Sequence, residues 1–214
     1  MLCGVDEAGR GPVIGPMVVA AVMVKDDSQL RSLEVRDSKQ LKAERREQLA
    51  LRISQIAEVR MEVVQPHEID ANTDGHLNRF EAEVFARLID MLRAEEVFVD
   101  ACDVNERRFG GMIMRHLSYR PRLVCEHKAD TTYPVVSAAS IIAKTRRDAI
   151  VREIEVEVGQ PIGTGYAHDK VTIAFLENWI KEKGCLPPHT RRSWATAKKA
   201  YSTAKTTRLT DWDE

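Results

Sequence analysis

Eight apolar residues in succession, Met17-Val18-Val19-Ala20-Ala21-Val22-Met23-Val24, constrain the fold of this chain more than any other stretch. The run is β-rich, shows no polar alternation, and is bounded by Gly15-Pro16 and by polar Lys25-Asp26-Asp27-Ser28. It reads as a strand buried on both faces. Met1-Leu2-Cys3-Gly4-Val5, Glu96-Val97-Phe98-Val99-Asp100 and Leu123-Val124-Cys125-Glu126 read as further short strands. Arg60-Met61-Glu62-Val63-Val64-Gln65 alternates and reads as an edge strand that Pro66 ends. Between these runs the apolar spacing becomes helical, over 43–58, 77–93, 135–158 and 170–183. Strands alternating with helices predict an α/β domain with a mixed sheet and a helical C-terminal cap.

The chain has 214 residues and is 43% hydrophobic, enough for one ordinary core or one core with a small appendage. Its formal net charge is -1, so a polyanionic partner would have to meet a local patch of positive charge. No apolar run approaches a membrane span, and the N-terminus lacks the pattern of a signal peptide. The four cysteines form no Cys-x-x-Cys pair and suit a reducing cytoplasm, where the protein is expected. No His-x-x-x-His pair and no P-loop occurs, which argues against zinc hydrolysis and nucleotide binding.

The candidate chemistry is carboxylate chemistry. Asp6 and Glu7 follow the first apolar run and precede Gly9-Arg10-Gly11-Pro12. Neighbouring strand residues point to opposite faces, so this pair can serve one centre only where the chain leaves the pleat. Crowded carboxylates repel each other unless a cation sits between them, and oxygen ligands suit Mg2+ or Mn2+. Two solvated acids at a strand end are the plainer alternative. The glycines allow close backbone approach to a ligand, and Arg10 can fork onto a phosphate or hydroxyl.

Asp100 stands at the carboxyl end of its strand, where open α/β sheets place ligands. Asp103 opens an Asp103-Val104-Asn105-Glu106 capping box and is expected to be structural. Asp130 lies in a polar turn. Ser137, Ser140 and Lys144 share a helix face that would suit either a phosphate backbone or close packing. Tyr166, in a glycine-rich loop, either stacks on nucleic acid or packs locally. The segment 189–208 carries Arg191, Arg192, Lys198, Lys199, Lys205 and Arg208 and no acid, a pattern fit for a phosphate backbone.

Taken together, Val5-Asp6-Glu7-Ala8-Gly9-Arg10-Gly11-Pro12, Asp37-Ser38-Lys39-x-Leu41, Phe98-Val99-Asp100 and Lys128-Ala129-Asp130 leading to Ser137-Ala138-Ala139-Ser140-Ile141-Ile142-Ala143-Lys144 resemble the ribonuclease HII family of archaeal type. The resemblance runs from Met1 to about Trp194. It implies a ribonuclease H-like five-stranded mixed sheet, with a catalytic domain over 1–160 and a helical, substrate-contacting region and tail over 161–214. It implies an endonuclease that cuts the RNA strand of RNA–DNA hybrids, and cuts 5′ of ribonucleotides in duplex DNA, leaving 3′-hydroxyl and 5′-phosphate ends. Asp6, Glu7, Asp100 and Asp130 match the family's catalytic metal ligands, which hold two Mg2+ or Mn2+ ions about 4 Å apart. Gly9, Arg10 and Gly11 match the turn that senses a ribose 2′-hydroxyl. Tyr166 matches a tyrosine that stacks on the following deoxyribose. Lys39, Ser140 and Lys144 match positions near the substrate.

The family often has Gly-Tyr-Pro-Ser-Asp-Pro where this chain has Gly165-Tyr166-Ala167-His168-Asp169-Lys170, so two prolines are missing. Leu209-x-x-Trp212 resembles the apolar half of a sliding-clamp peptide, with Thr206 in place of the usual glutamine. A monomer is expected. The competing readings are another nuclease of the fold, such as a junction resolvase, and a non-catalytic hybrid-binding protein.

Overall fold

The computed structural model describes residues 1–35, 42–73 and 76–210, with side chains through residue 205. Lys39, the rest of the 37–41 motif and Trp212 lie outside the described residues, as does the side chain of Leu209. In chain order the elements are β1 (Leu2–Ala8), β2 (Met17–Val24), α1 (Ser28–Ser32), α2 (Ala43–Ile56), β3 (Glu58–Val64), α3 (Pro66–Ala71), α4 (Leu77–Leu92), β4 (Glu96–Asp100), α5 (Glu106–His116), β5 (Arg122–Glu126), α6 (Ala129–Thr132), α7 (Pro134–Val158), α8 (Lys170–Lys183) and α9 (Ala195–Thr210).

The five strands form one sheet in the order β3-β2-β1-β4-β5. β1 runs antiparallel to β2 and parallel to β4, and β4 runs parallel to β5. The alternating strand β3 is at an edge, and every residue of the uninterrupted apolar strand β2 is buried. The expected mixed sheet is therefore present, because an apolar run without polar alternation is stable only with cover on both faces.

Two compact units divide the chain. One comprises Met1–Ala8, Val18–Val63 and Asp74–Arg147 and holds the sheet. The other comprises Gly9–Met17, Val64–Thr73 and Asp148–Glu214. This division is discontinuous in sequence. The second unit takes in early segments because late residues bind them. Asp70 accepts backbone N–H bonds from Arg192 and Ser193, and the Arg191 N–H donates to the Val13 carbonyl. Its own core gathers Val13, Ile14, Val151, Ile154, Ile162, Phe175 and Ala197.

Four local expectations change. Pro66 opens α3 rather than merely ending a strand, because its missing N–H costs nothing in a first helical turn. The cap of α5 is Asn105, whose side chain accepts the Arg108 N–H; Asp103 instead binds the Asn105 N–H and the Arg108 guanidinium. Asp130 sits in the short helix α6 rather than in a turn. The basic tail becomes helical only at Ala195. Among the described residues no helix is long and apolar enough to cross a membrane.

Candidate active site

The register of the parallel pair builds the first half of the site. Val5 is paired with Val99, so Asp6 and Asp100 are the next residues along adjacent strands, at their carboxyl ends. The third acid arrives through a reversal after β5. Lys128 adopts a left-handed conformation (φ 58°), and the Ala129 N–H then donates to Asp100 Oδ1 at 3.0 Å. That bond fixes the start of α6, and Asp130 follows. Asp6, Asp100 and Asp130 each offer a carboxylate oxygen, and these oxygens all lie within 4.8 Å of one another.

Helix α7 holds the acids in place. Its first turn crosses β1 at Gly4, where any Cβ would lie 2.2 Å from the Val135 carbonyl carbon; glycine is what permits the approach. Ser137 donates its hydroxyl to the Asp130 carbonyl. Ser140 hydrogen-bonds the Asp6 side chain, and Lys144 Nζ donates to Ser140 Oγ at 2.8 Å. The face that sequence offered to a phosphate backbone thus turns largely onto the carboxylates. Ser140 is fully buried and braces Asp6. Lys144 is half-buried and lowers the Asp6 pKa through its charge.

Asp6 is only 4% exposed. Burial raises its carboxyl well above the usual aspartate range, and the charges of Glu7 and Asp100 add to the effect; the Ser140 hydrogen bond and the Lys144 ammonium oppose it. Three converging hard oxygen donors with one acid so disfavoured as an anion fit a divalent cation, which replaces the proton and relieves the repulsion.

Glu7 stands beside this trio. β1 continues through Ala8, so the chain does not leave the pleat at Asp6 and Glu7. The Glu7 carboxylate is not in the trio; its Oε2 accepts from the Cys102 thiol at 3.2 Å. Burial pushes that thiol well up, and the charges of Glu7 and of fully buried Glu81 push it further. In the sequence no motif around Cys102 supports a nucleophile, and nothing marks Glu81. Only the position of Cys102 two residues beyond Asp100 hinted at a role.

In the second unit, Gly9-Arg10-Gly11 forms a turn with Gly9 in the left-handed region at φ 85°. Arg191, fully buried, donates Nε to the Gly15 carbonyl at 3.0 Å, Nη1 to the Arg10 carbonyl at 2.6 Å, and Nη2 to the Gly9 carbonyl. Trp194 Nε1 donates to the Gly11 carbonyl at 3.1 Å. Arg191 therefore leaves the basic surface on which sequence placed it, because its guanidinium is spent on backbone. Composition does not report burial.

Tyr166 lies in the same unit; a Cβ on Gly11 would touch its ring at 3.6 Å. Hydrogen bonds hold the loop around it. Asp169 accepts the Thr164 N–H at 2.7 Å, the Thr164 hydroxyl at 2.8 Å and the Val171 N–H at 2.9 Å, so it caps α8 and closes the loop together. The Gly165 N–H donates to Thr172 Oγ1, and the Gly165 carbonyl accepts from Val13 and Ile14.

The family model described as Ribonuclease HII matches residues 3–197. The chain belongs to this family. It is 44% identical over 200 residues to a ribonuclease HII from Methanocella arvoryzae, covering 92% of this chain and 89% of the relative. Among solved structures it is similar to a chain of the PCNA:RNase HII complex from Archaeoglobus fulgidus, at 39% identity and a TM-score of 0.86, covering 94% of this chain and 96% of that one. Bst-RNase HIII in complex with Mn2+ matches at 25% identity and a TM-score of 0.79, covering 96% of this chain and 70% of that one. The sheet is thus a ribonuclease H fold, and the protein is an endoribonuclease of the ribonuclease H type, in a family that depends on divalent metal.

Proposed function

We propose that the enzyme hydrolyses the RNA strand of RNA–DNA hybrids and cuts on the 5′ side of ribonucleotides embedded in duplex DNA, with Mg2+ or Mn2+ as cofactor. The products on this reading carry 3′-hydroxyl and 5′-phosphate ends, as primer removal and ribonucleotide excision require. The convergence of Asp6, Asp100 and Asp130 carries the proposal. When bound by these carboxylates, the divalent cation supplies a water nucleophile near neutral pH and neutralises charge that develops at the phosphate. The protein's own contribution is placement. Ser140 and the Ala129 N–H aim Asp6 and Asp100, and Ser137 anchors the backbone of Asp130. For a second ion this reading calls on Glu7, whose charge already acts on Asp6.

Recognition is assigned to Gly9, Arg10 and Gly11 at the ribose 2′-hydroxyl and to Tyr166 at the adjoining deoxyribose, with Lys39 and Lys144 toward the backbone. The PCNA complex of the Archaeoglobus fulgidus relative supports a sliding clamp as partner, reached through Leu209 and Trp212. Deleting 209–214 is expected to abolish binding to a cognate clamp while leaving cleavage intact; retained clamp binding would remove the tail from the interface. On this reading the enzyme works in the cytoplasm as a monomer.

The deciding experiment is a cleavage map on a DNA duplex with one ribonucleotide, using Mg2+, Mn2+ or chelator. A single metal-dependent cut 5′ of the ribonucleotide is expected. Cleavage only inside long hybrids would remove the recognition assignment and keep the nuclease; preference for branched DNA would favour a resolvase.

A further inference from the structure

The clamp on the Gly9-Arg10-Gly11 turn has a consequence for substrate choice. Every peptide bond among the described residues is trans, and in a trans peptide the C=O and the following N–H point to opposite sides of one plane. The Gly9 carbonyl shares its plane with the Arg10 N–H, and the Arg10 carbonyl shares its plane with the Gly11 N–H. Arg191 captures both of those carbonyls, so both amide N–H groups are turned away from the guanidinium. The Gly11 carbonyl, held by Trp194, precedes Pro12, which has no N–H to turn. The turn therefore presents a pair of successive amide donors on one side, an arrangement suited to an electronegative oxygen. Gly11 itself is exposed.

The clamp is built as a unit. The Arg191 guanidinium stacks over the Trp194 ring at 5.1 Å, and the Arg191 N–H to Val13 carbonyl bond of 2.8 Å ties its backbone to the strand of residues that follows the turn. The Gly15 N–H to His189 carbonyl bond of 2.9 Å secures the other side. A planar guanidinium with a fixed fork of donors can hold three carbonyls at set angles; a lysine ammonium is a point charge and cannot.

We infer that Arg191 and Trp194 are positioning residues for ribose recognition: together they set the two amide donors of the Gly9-Arg10-Gly11 turn and thereby the enzyme's preference for a strand bearing a 2′-hydroxyl. This rests on the proposed role of that turn, and it adds that two residues near the C-terminal helix, neither of which touches substrate, decide how sharply the turn discriminates.

The test uses the full-length protein with a single-ribonucleotide duplex as substrate and the all-DNA duplex of the same sequence as competitive inhibitor. The ratio of the DNA inhibition constant to the KM for the ribonucleotide duplex reads the preference. Trp194→Phe keeps an aromatic face for stacking but removes the N–H to Gly11; it is expected to lower the ratio several-fold, through KM, with kcat and melting temperature little changed. Arg191→Lys is expected to lower the ratio tenfold or more, and Arg191→Gln, which keeps part of the planar donor set, to fall between them. Gly9→Ala perturbs the turn directly, because a side chain is strained at φ 85°. A ratio that falls in Gly9→Ala but stays at the parent value in folded Trp194→Phe and Arg191→Lys would overturn the positioning role and leave the turn's role standing. A ratio unchanged in Gly9→Ala would overturn the role of the turn, and this inference with it. Should Arg191→Lys fail to fold, Trp194→Phe decides alone.

Discussion

At the carboxyl ends of β1 and β4, Asp6 is buried beside Glu7 and Asp100, and burial and like charge hold its carboxyl far above the ordinary range. Just before α5, Asp103 is buried as deeply, yet the Arg108 guanidinium and the Asn105 N–H pull its pKa down to about 2. Both acids are held by hydrogen bonds from their own unit. They differ in the sign of the charge placed next to them. Asp103 has been given its counter-ion by the chain in Arg108, five residues on. Asp6 has been given two more acids and a bracing hydroxyl, with one ammonium reaching it through that hydroxyl. A buried acid paired within the chain serves stability; a buried acid crowded by its own kind leaves a place for a cation from outside.

The contrast can be broken most forcefully at the trio. Asp6→Asn or Asp100→Asn is expected to abolish cleavage while hybrid binding largely remains. Turnover retained in either variant would take that residue out of the metal site. Ser140→Ala comes next. Loss of an outer partner of a metal ligand costs about ten- to a hundredfold in activity. Because the hydroxyl lowers the Asp6 pKa, its loss should also move the onset of activity to higher pH. A pH profile identical to the parent's would reduce Ser140 to packing.

A smaller effect is expected in the metal-free protein. A carboxyl whose folded pKa is raised costs nothing below its unfolded pKa and destabilises increasingly as pH rises above it. Asp6→Asn should therefore melt a few degrees higher than the parent at neutral pH without metal, and the gap should close toward acid pH or on adding Mg2+. A variant that melts lower would mean that Asp6 is compensated in a way the trio does not reveal. The smallest effect belongs to Asp103. Its stabilisation is fully present above the ordinary value of 3.8 and is lost as pH falls through about 2. Asp103→Asn should cost roughly 1 kcal/mol at pH 7 and flatten this acid limb in thermal melts. An unchanged limb would assign the acid sensitivity elsewhere.

Much of the fold was legible because periodicity is local. The uninterrupted run of β2, the alternation of β3 and the helical spacing of α4 and α8 each follow from which faces a short segment must bury. The candidate acids were legible for a related reason. Asp100 stands at a strand end, while Asp103 stands among turn residues, and that local difference separated a site residue from a structural one. Glu7 was legible as an acid but not by its direction, since that depended on whether β1 stopped before it or ran on to Ala8.

The sequence by itself determined the number and kind of strands, the long helices, and the residue types available for metal chemistry. Backbone sterics and side-chain burial act over a few residues, and the chain spells out those few residues directly. Only the tertiary structure decided that Asp6, Asp100 and Asp130 share a centre, that Ser140 hydrogen-bonds Asp6, and that Arg191 holds the carbonyls of Gly9, Arg10 and Gly15 near the other end of the chain. Parallel register and helix crossing set those partners. A charged side chain carries no local mark of whether it will meet water, a carboxylate or a backbone oxygen.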